Sequence, residues 1–430
     1  MVLTYRIATL GCKVNQQESE ALGARFEALG FFRAGRGEAA DVCVVNSCTV
    51  TSAADSKTRQ RIRQARAGNP GALVCVIGCM PEIRREAVLS MPEVDLAFGS
   101  IDKERTPELV MEALAARRGT PAAAAPAGGV EASRNGYCGA GGRRNAAERT
   151  RAFIKAEDGC DRFCAYCIIP YARGAVRSRP AEDVLFEAEA ALDAGYKELV
   201  LTGVNLALYG RDAGGGLVDL YSLIEKMCSI GAGGEYRVRL GSLEPTVIDA
   251  GEAVRIAGIS GVCPQFHLSL QSGAARTLAA MGRAYTPEEY MGIALALREI
   301  DPLFSLTTDV IVGFPGETDE DFAESVCFVK QAGFARVHVF KYSKRPGTRA
   351  AGMEGQAPDA VKNERSRLMI QAADEGASRF LSLNEGMVRR TLVFGPDKSG
   401  EGMRGLTDNG IDIILPAGGY ESNTFADIKL

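Results

Sequence analysis

Residues 159–174 read GCDRFCAYCIIPYARG and carry Cys160, Cys164 and Cys167 at C-x3-C-x2-C spacing. Three thiolates so close in sequence can hold one soft metal centre, an iron–sulfur cluster or a zinc ion. Structural zinc sites close with four ligands and often pair two C-x2-C knuckles. This stretch has one C-x2-C, and neither a His nor a fourth Cys stands close by. Three ligands on a four-iron cluster leave one iron open to an outside molecule.

The stretch directly follows a strand-like segment, 152–157, and that placement sets the fold around it. Further strand-like segments follow at 198–202, 236–240, 265–270, 305–312 and 335–340, with helical patterns between them. In 181–194, for example, Val184, Leu185, Ala188, Ala191 and Leu192 fall at helical spacing. Repeated βα units predict a parallel barrel or partial barrel, with its chemistry on loops at the carboxyl ends of the strands. The three cysteines sit past the first of those ends.

Upstream, short apolar strands at 5–10, 42–45, 73–77 and 94–98 alternate with helical patterns at 18–29, 53–67 and 82–91. Such alternation predicts a doubly wound parallel sheet. Cys12, Cys48 and Cys79 each lie just past the end of a predicted strand, in IATLGC, VCVVNSC and VCVIGC. Loops past the carboxyl ends of such strands form the ligand crevice, so residues distant in sequence can converge there as a second three-thiolate site. The plainer alternative is a small buried residue at each strand end. Cys43 and Cys75 lie inside the strands and read as core. Lys57, Arg59, Arg61, Arg63 and Arg66 crowd one helix, as a solvated face or as a contact for phosphates.

Residues 117–149 are rich in Ala, Gly and Pro and read as a flexible connection, in which Cys138 is no cluster ligand. The tail has short strands at 388–394, 410–415 and 424–428 with turn-rich links, predicting a small OB-like β-barrel. The expected domains are 1–118, a linker at 119–149, 150–382 and 383–430.

The whole chain sets the outer bounds. Its 430 residues are 46% hydrophobic and 24% charged, enough for several domains with their own cores. No apolar run reaches membrane-spanning length and the start, MVLTYRIATLGC, lacks a signal-peptide pattern, so a cytoplasmic protein with no membrane partner is expected. Twelve cysteines in a reducing compartment point to metal binding or chemistry rather than a disulfide scaffold. Only His267 and His338 are present, which argues against His-based catalysis, and the net charge of −4 gives no global nucleic-acid signal.

CDRFCAYC, with Tyr166 before the last Cys, resembles the signature of radical S-adenosylmethionine (SAM) enzymes. TLGCKVNQQESE, NSCTVTSAAD, RAFIKAEDGCDRFCAYCIIPYARG, HLSLQSGAARTLAAMGRAYT and DVIVGFPGET resemble the methylthiotransferase family within them. GCKVNQ and NSCTVT are similar to the branch that modifies N6-threonylcarbamoyladenosine at position 37 of tRNA. The motifs agree in order along nearly the whole chain.

This resemblance implies two 4Fe–4S clusters and SAM as cofactors. One cluster, on Cys160, Cys164 and Cys167, would bind the amino and carboxylate groups of SAM and cleave it to a 5′-deoxyadenosyl radical. Tyr166 would pack near the adenine. Asn205, Glu244, Gln271 with Ser272, and Asp309, Gly313 and Glu317 stand at strand ends where SAM could be held. As alternatives, Asn205, Glu244 and Gln271 could cap helices, and the Gly313 loop could be a tight turn. The second cluster, on Cys12, Cys48 and Cys79, would carry the sulfur that is methylated by one SAM and transferred to adenine C2. The implied partners are the tRNA anticodon loop and a low-potential electron donor of flavodoxin or ferredoxin type, with the sulfur donor left open. Arg173, Arg177, Arg179, Lys341, Lys344, Arg345 and Arg349 could hold phosphates. TDNGIDIILP resembles the TRAM domain that ends family members. Runner-up substrates are isopentenyl-adenosine tRNA and a ribosomal-protein aspartate; a zinc-stabilised RNA-binding protein without activity is the alternative of another class.

Overall fold

A computed structural model describes residues 2–35, 37–118, 150–212, 218–231, 234–397 and 399–430. The expected linker 119–149, with Cys138, lies outside the described residues. The chain divides into two compact units. One comprises Met1–Arg143, Gly159–Asp161 and Cys167–Ala175; the other comprises Arg144–Asp158, Arg162–Tyr166 and Val176–Leu430. The division cuts through the 159–174 stretch, so Cys160 and Cys167 fall in the first unit and Cys164 in the second.

The first unit alternates β1 (Thr4–Thr9), α1 (Lys13–Ala28), β2 (Phe32–Arg33), β3 (Val42–Ser47), α2 (Ser52–Gly68), β4 (Leu73–Gly78), α3 (Cys79–Leu89), β5 (Leu96–Phe98) and α4 (Thr106–Arg118). The short α5 (Ile169–Arg173) also belongs to it. All pairings are parallel in the order β2-β1-β3-β4-β5. β3 and β4 are buried along their full length, which is why VCVV and LVCVI read as unbroken apolar runs. Leu22, Phe26, Val110 and Leu114, from α1 and α4, pack with Val44, Cys75 and Ile77. Ile62, Met80 and Val88, from α2 and α3, pack with Val45 and Val76. Helices thus cover both faces, as double winding requires. α1 starts at Lys13 rather than at 18. Its first turns bury Asn15, Gln17 and Glu18, polar residues that an apolar periodicity cannot register.

In the second unit the strands are β6 (Arg151–Lys155), β7 (Glu157–Asp158), β8 (Arg177–Ser178), β9 (Glu198–Thr202), β10 (Arg237–Leu240), β11 (Ser242–Leu243), β12 (Gln265–Leu268), β13 (Ser305–Val312) and β14 (Arg336–Lys341). β6, β9 and β10 form one parallel sheet; β11, β12, β13 and β14 form another. Gly241 alone separates β10 from β11 in the chain, and each segment read as a strand from the sequence is one. Helices α6 (Ala181–Asp193), α7 (Leu220–Cys228), α8 (Ala250–Ala257), α9 (Ala275–Met281), α10 (Pro287–Ile300) and α11 (Asp319–Ala332) alternate with them. A 26-residue helix, α12 (Asp359–Asn384), follows; no sequence reading anticipated it.

The tail is an antiparallel sheet of β15 (Val388–Pro396), β16 (Gly402–Thr407), β17 (Asp412–Pro416) and β18 (Thr424–Lys429) in the order β17-β16-β15-β18. Two expectations need correction. β16 occupies part of a segment read as turns, and β17 and β18 are sheet edges, among the described residues, rather than the seam of a closed barrel.

A buried charge lattice joins this sheet to β9 and β10. Glu198 is fully buried and accepts from Arg237 Nε at 2.6 Å, Arg239 Nε at 3.0 Å and Arg151 Nε at 2.6 Å. The free arms of Arg237 and Arg239 donate to the carbonyls of Arg390, Leu406, Thr407 and Asp408. Burial alone would raise the Glu198 carboxyl, but Arg239, Arg237 and Arg151 hold it far below the usual carboxylate range. Because its folded value is depressed, its contribution is present above the unfolded value of about 4.3 and is lost as pH falls further. Glu198→Gln leaves buried guanidinium groups short of a counter-charge and is expected to cost about 3–5 kcal/mol. Urea unfolding at pH 7 should show a lowered midpoint, and the difference from the parent protein should shrink below pH 4.

Candidate functional site

In the first unit, sheet register brings three cysteines to one edge. Thr9 pairs with Asn46 and Ser47 pairs with Gly78, so the neighbouring strands β1, β3 and β4 end level. Cys12 caps α1, Cys79 opens α3, and Cys48 precedes α2 by four residues. Helix N-termini favour thiolates through their exposed N–H groups and dipole.

The loops interlock closely. Gly11 has φ +102°, and a Cβ placed there would lie 2.9 Å from Cys48 Cβ and 3.2 Å from its Sγ. Only glycine combines that backbone with that approach. Asn15 is buried and its Nδ2 donates to Leu10 O at 2.7 Å and Ser47 O at 3.1 Å, tying the first loop to the second. Ser47 Oγ donates to Ile77 O at 2.6 Å and accepts from Met80 N at 3.1 Å, tying the second to the third.

The thiols feel one another. Burial, then the field of Cys79 and Cys12 working against Val50 and Arg173, pushes Cys48 up to about 11. The Cys12 thiol is exposed at its rim yet crowded, and that crowding raises it while Arg173 and Asn15 pull it down. Three mutually repelling thiolates call for a cation to stabilise them together. Among the described residues no cysteine is joined in a disulfide. No three His, Cys, Asp or Glu groups there are gathered closely enough to share a single metal ion. A four-iron cluster asks for something different, one thiolate on each of separate irons.

Arg173, from the 159–174 stretch, closes this site from below. Its guanidinium is 1% exposed and donates to Asn15 Oδ1 at 2.6 Å and to Glu18 Oε1 at 3.0 Å. Lys103 also pairs with Glu18. Arg173 thus braces the asparagine that holds the Cys12 loop and is not available to phosphates, contrary to the sequence expectation. Arg179, bound to Glu187 at 2.6 Å and to Lys155 O, and the buried Arg345 are likewise structural. Arg177, Lys341, Lys344 and Arg349 remain exposed.

In the second unit, Glu244 gathers the polar groups. Arg283 Nη1 donates to its Oε1 at 2.8 Å, Thr246 Oγ1 at 3.1 Å, and Arg162 Nε lies 3.3 Å from Oε2. Asn205 Nδ2 donates to the same carboxylate, and the Asn205 backbone N–H donates to Glu157 Oε2 at 2.9 Å. Asn205 does not cap the turn that follows, and its Oδ1 is buried without a partner. A buried acceptor of this kind suits a ligand that brings an N–H or O–H donor. Arg283 Nη1 also stands 3.5 Å from Cys164 Sγ. Burial alone would lower the Arg283 guanidinium, but Tyr166, Tyr285, Glu244 and Cys164 outweigh it and keep it cationic. Neither Arg283 nor Arg162 was assigned a role from sequence, although Arg283 stands in the quoted MGRAYT motif.

The cysteine loop is pinned here by Ala165, whose N–H donates to Met281 O at 2.7 Å and whose carbonyl accepts from Ala350 N at 2.8 Å. Tyr166 packs against the cluster that includes Met281, Ile311, Phe314 and Tyr342. Gln271 is held at φ +68° by backbone bonds to Asp309 O and Ile311 N, which excludes a helix-capping role and holds strain at a strand end. Asp309 Oδ2 lies 3.5 Å from His267 Nε2, and the His267 and His338 rings stand 6.2 Å apart. The fifth-strand loop departs from expectation. A Cβ on Gly313 would meet Lys362 Cγ at 2.6 Å, so that glycine serves packing and its φ of +70°. Glu317 is committed to Gly313 N and Arg365, both at 2.7 Å.

Comparison with known proteins joins these geometries. Residues 4–99 match the "Uncharacterized protein family UPF0004" and residues 155–329 match the "Radical SAM superfamily". Threonylcarbamoyladenosine tRNA methylthiotransferase MtaB of Thermotoga maritima is 37% identical, covering 91% of this chain and 86% of that protein. The chain belongs to the radical SAM tRNA methylthiotransferase family. The Bacillus subtilis protein of the same name is 36% identical over 96% of this chain and 90% of its own length. A tRNA-2-methylthio-N(6)-dimethylallyladenosine synthase of Caldicellulosiruptor saccharolyticus is 33% identical over 94% and 85%. Among solved structures, the radical SAM methyltransferase TsrM of Kitasatospora setae superimposes with a TM-score of 0.59 at 14% identity, covering 81% of this chain and 77% of that one, a likeness of fold. For this methylthiotransferase, family membership implies SAM and a 4Fe–4S cluster. The three cysteines of 159–174 and the unpartnered Asn205 Oδ1 beside Glu244 fit that pair.

Proposed function

We propose that this protein methylthiolates C2 of N6-threonylcarbamoyladenosine at position 37 of tRNA, consuming one SAM as methyl donor and cleaving another. The observation that carries the reading is the level convergence of Cys12, Cys48 and Cys79 at the ends of β1, β3 and β4, in a chain that also has the SAM-family cysteine loop. One cysteine triad would serve only for radical formation; a second supports sulfur delivery. Three relatives at 36–37% identity are named for the threonylcarbamoyl substrate.

In this reading Cys160, Cys164 and Cys167 hold the SAM cluster and Cys12, Cys48 and Cys79 hold a second 4Fe–4S cluster. When bound, the clusters supply the one-electron chemistry and the sulfur, which no side chain could provide. The chain's own residues bind and orient. Glu244 would accept from an ammonium group and Asn205 Oδ1 from a further donor, while Arg283, bonded to Glu244, donates toward the Cys164 sulfur and would stabilise charge on it as a cluster ligand. Gln271 and Asp309 line the same strand ends, Tyr166 offers an aromatic face, and Gly313 shapes the adjoining loop. A tRNA anticodon loop presents its bases unpaired, which lowers the cost of bringing one to the clusters.

The domain layout in this reading is 1–118 for sulfur delivery, 150–382 as a partial radical SAM barrel, and 383–430 as a TRAM-like module. In that module Arg389 pairs with Asp301, Arg390 with Glu235 and Asp427, and Arg404 with Asp412. Arg389 and Arg390 therefore serve docking of the module more than RNA. An electron donor of flavodoxin or ferredoxin type completes the system. No helix among the described residues is long and apolar enough to cross a membrane.

Mass spectrometry of tRNA nucleosides from cells lacking the protein tests the substrate. The 2-methylthio-N6-threonylcarbamoyl nucleoside should disappear while its unthiolated precursor accumulates. Unchanged levels, or loss of the dimethylallyl counterpart instead, would overturn the assignment.

A further inference from the structure

The basic helix α2 has a pattern that neither its packing nor the cysteine site uses. Its buried side is Asp55, Thr58 and Ile62. Helical geometry at 3.6 residues per turn places Ala53, Ser56, Gln60, Gln64 and Ala67 along the opposite ridge, and these are small or uncharged. Lys57 and Arg61 flank the ridge on one side; Arg59 and Arg63 flank it on the other. All four are exposed.

The fifth cation, Arg66, is different. It donates to Ala72 O at 2.8 Å and to Asp95 Oδ2 at 2.6 Å, bracing the helix end. Among the described residues no carboxylate pairs with Lys57, Arg59 or Arg61, and Arg63 has only Glu93 at 3.9 Å. Lys57 with Arg61, and Arg59 with Arg63, are like charges at i,i+4 spacing, which repel on a helix. A face merely solvated would gain by interspersing Glu, as Glu364 with Arg367 does on α12. The chain as a whole is acidic, at −4, so the patch stands against its own background. It also begins at the reaction site: Thr58 Oγ1 donates to Cys48 O at 3.2 Å.

We propose that this face of α2 docks the sugar–phosphate backbone of the tRNA, with Lys57 and Arg61 on one side of the strand and Arg59 and Arg63 on the other. The inference rests on the tRNA reading above and names a surface for it. Successive cations on each side lie about 6 Å apart along the helix axis, a step close to that between neighbouring phosphates. Gln60, Gln64 and Ser56 supply uncharged hydrogen bonds between the two rows. Such contacts fix register and orientation and carry no sequence information.

The test is the salt dependence of tRNA binding to the full-length, cluster-loaded protein. Each phosphate neutralised contributes about 0.7–0.9 to the slope of log K against log salt. Replacing all four cations by Gln, which keeps helix propensity, should lower that slope by about three and weaken binding most at low salt. The paired variants Lys57→Gln/Arg61→Gln and Arg59→Gln/Arg63→Gln should each remove about half of the change. Helix content by circular dichroism and iron per chain should match the parent. A fourfold variant with parental slope and affinity would overturn the proposal. So would a variant that keeps parental tRNA binding but is no longer reduced by an acidic electron donor, since the face would then belong to the reductant. Absence of tRNA binding by the parent protein would overturn the functional reading along with it.

Discussion

A Cys48→Ala variant is expected to go on cleaving SAM to 5′-deoxyadenosine while making no 2-methylthio product. Cys48 sits between the Cys12 and Cys79 loops, and its Cβ and Sγ lie against Gly11. Burial first, and then the nearness of Cys79, raise both the Cys48 and the Cys12 thiols. In the proposed function, removing Cys48 leaves two of three proposed ligands for the second cluster. The 159–174 stretch keeps all of its own cysteines, so radical formation persists. Iron should fall from about eight to about four per chain, one four-iron cluster. Alanine at this position loses a small, half-buried side chain and makes no overpacking, so folding should survive. Normal amounts of methylthiolated product from Cys48→Ala would dismiss Cys12, Cys48 and Cys79 as a second cluster site.

The converse is expected of Cys164→Ala. Here SAM cleavage itself should drop to the level of cluster-free protein, and product with it, while about four irons per chain remain. Cys164 is buried, and Arg283 approaches its sulfur at 3.5 Å while also bonding Glu244. Losing it removes a ligand and also leaves one guanidinium arm without its sulfur acceptor. A reductant supplied with SAM and no tRNA reads this directly through 5′-deoxyadenosine. Cleavage at the parental rate would mean that the SAM cluster is held elsewhere. Together the two variants separate radical formation from sulfur delivery, which a product assay on either alone would confound.

Much of this architecture is legible along the chain because it depends on local order. Continuous apolar runs such as VCVV and LVCVI identify central strands buried on both faces, and a cysteine just past each marks a shared edge once parallel register is assumed. What periodicity could not register were polar groups buried in pairs. Asn15 lies ahead of the helix as the apolar pattern reads it, and its part emerges only when it is seen bonding Leu10 O and Ser47 O. Arg173 and Arg179 read as surface cations, but tertiary partners with negative or carbonyl oxygen make their burial affordable. Arg283 was quoted within a motif without a role because its targets, Glu244 and Cys164, lie 39 and 119 residues away.

Along the chain, C-x3-C-x2-C spacing is enough for three cysteines to serve one open cluster whatever surrounds them, since their reach is set by a few residues of backbone. Which other groups share that work is a matter of the fold. Parallel register brings Cys12, Cys48 and Cys79 level, and Asn205 bonds Glu244 through its amide nitrogen while its oxygen is left unpartnered. Burial then turns some arginines into braces and leaves four cations on α2 exposed. Charge and burial belong to the folded surface, where distance through space replaces distance along the chain.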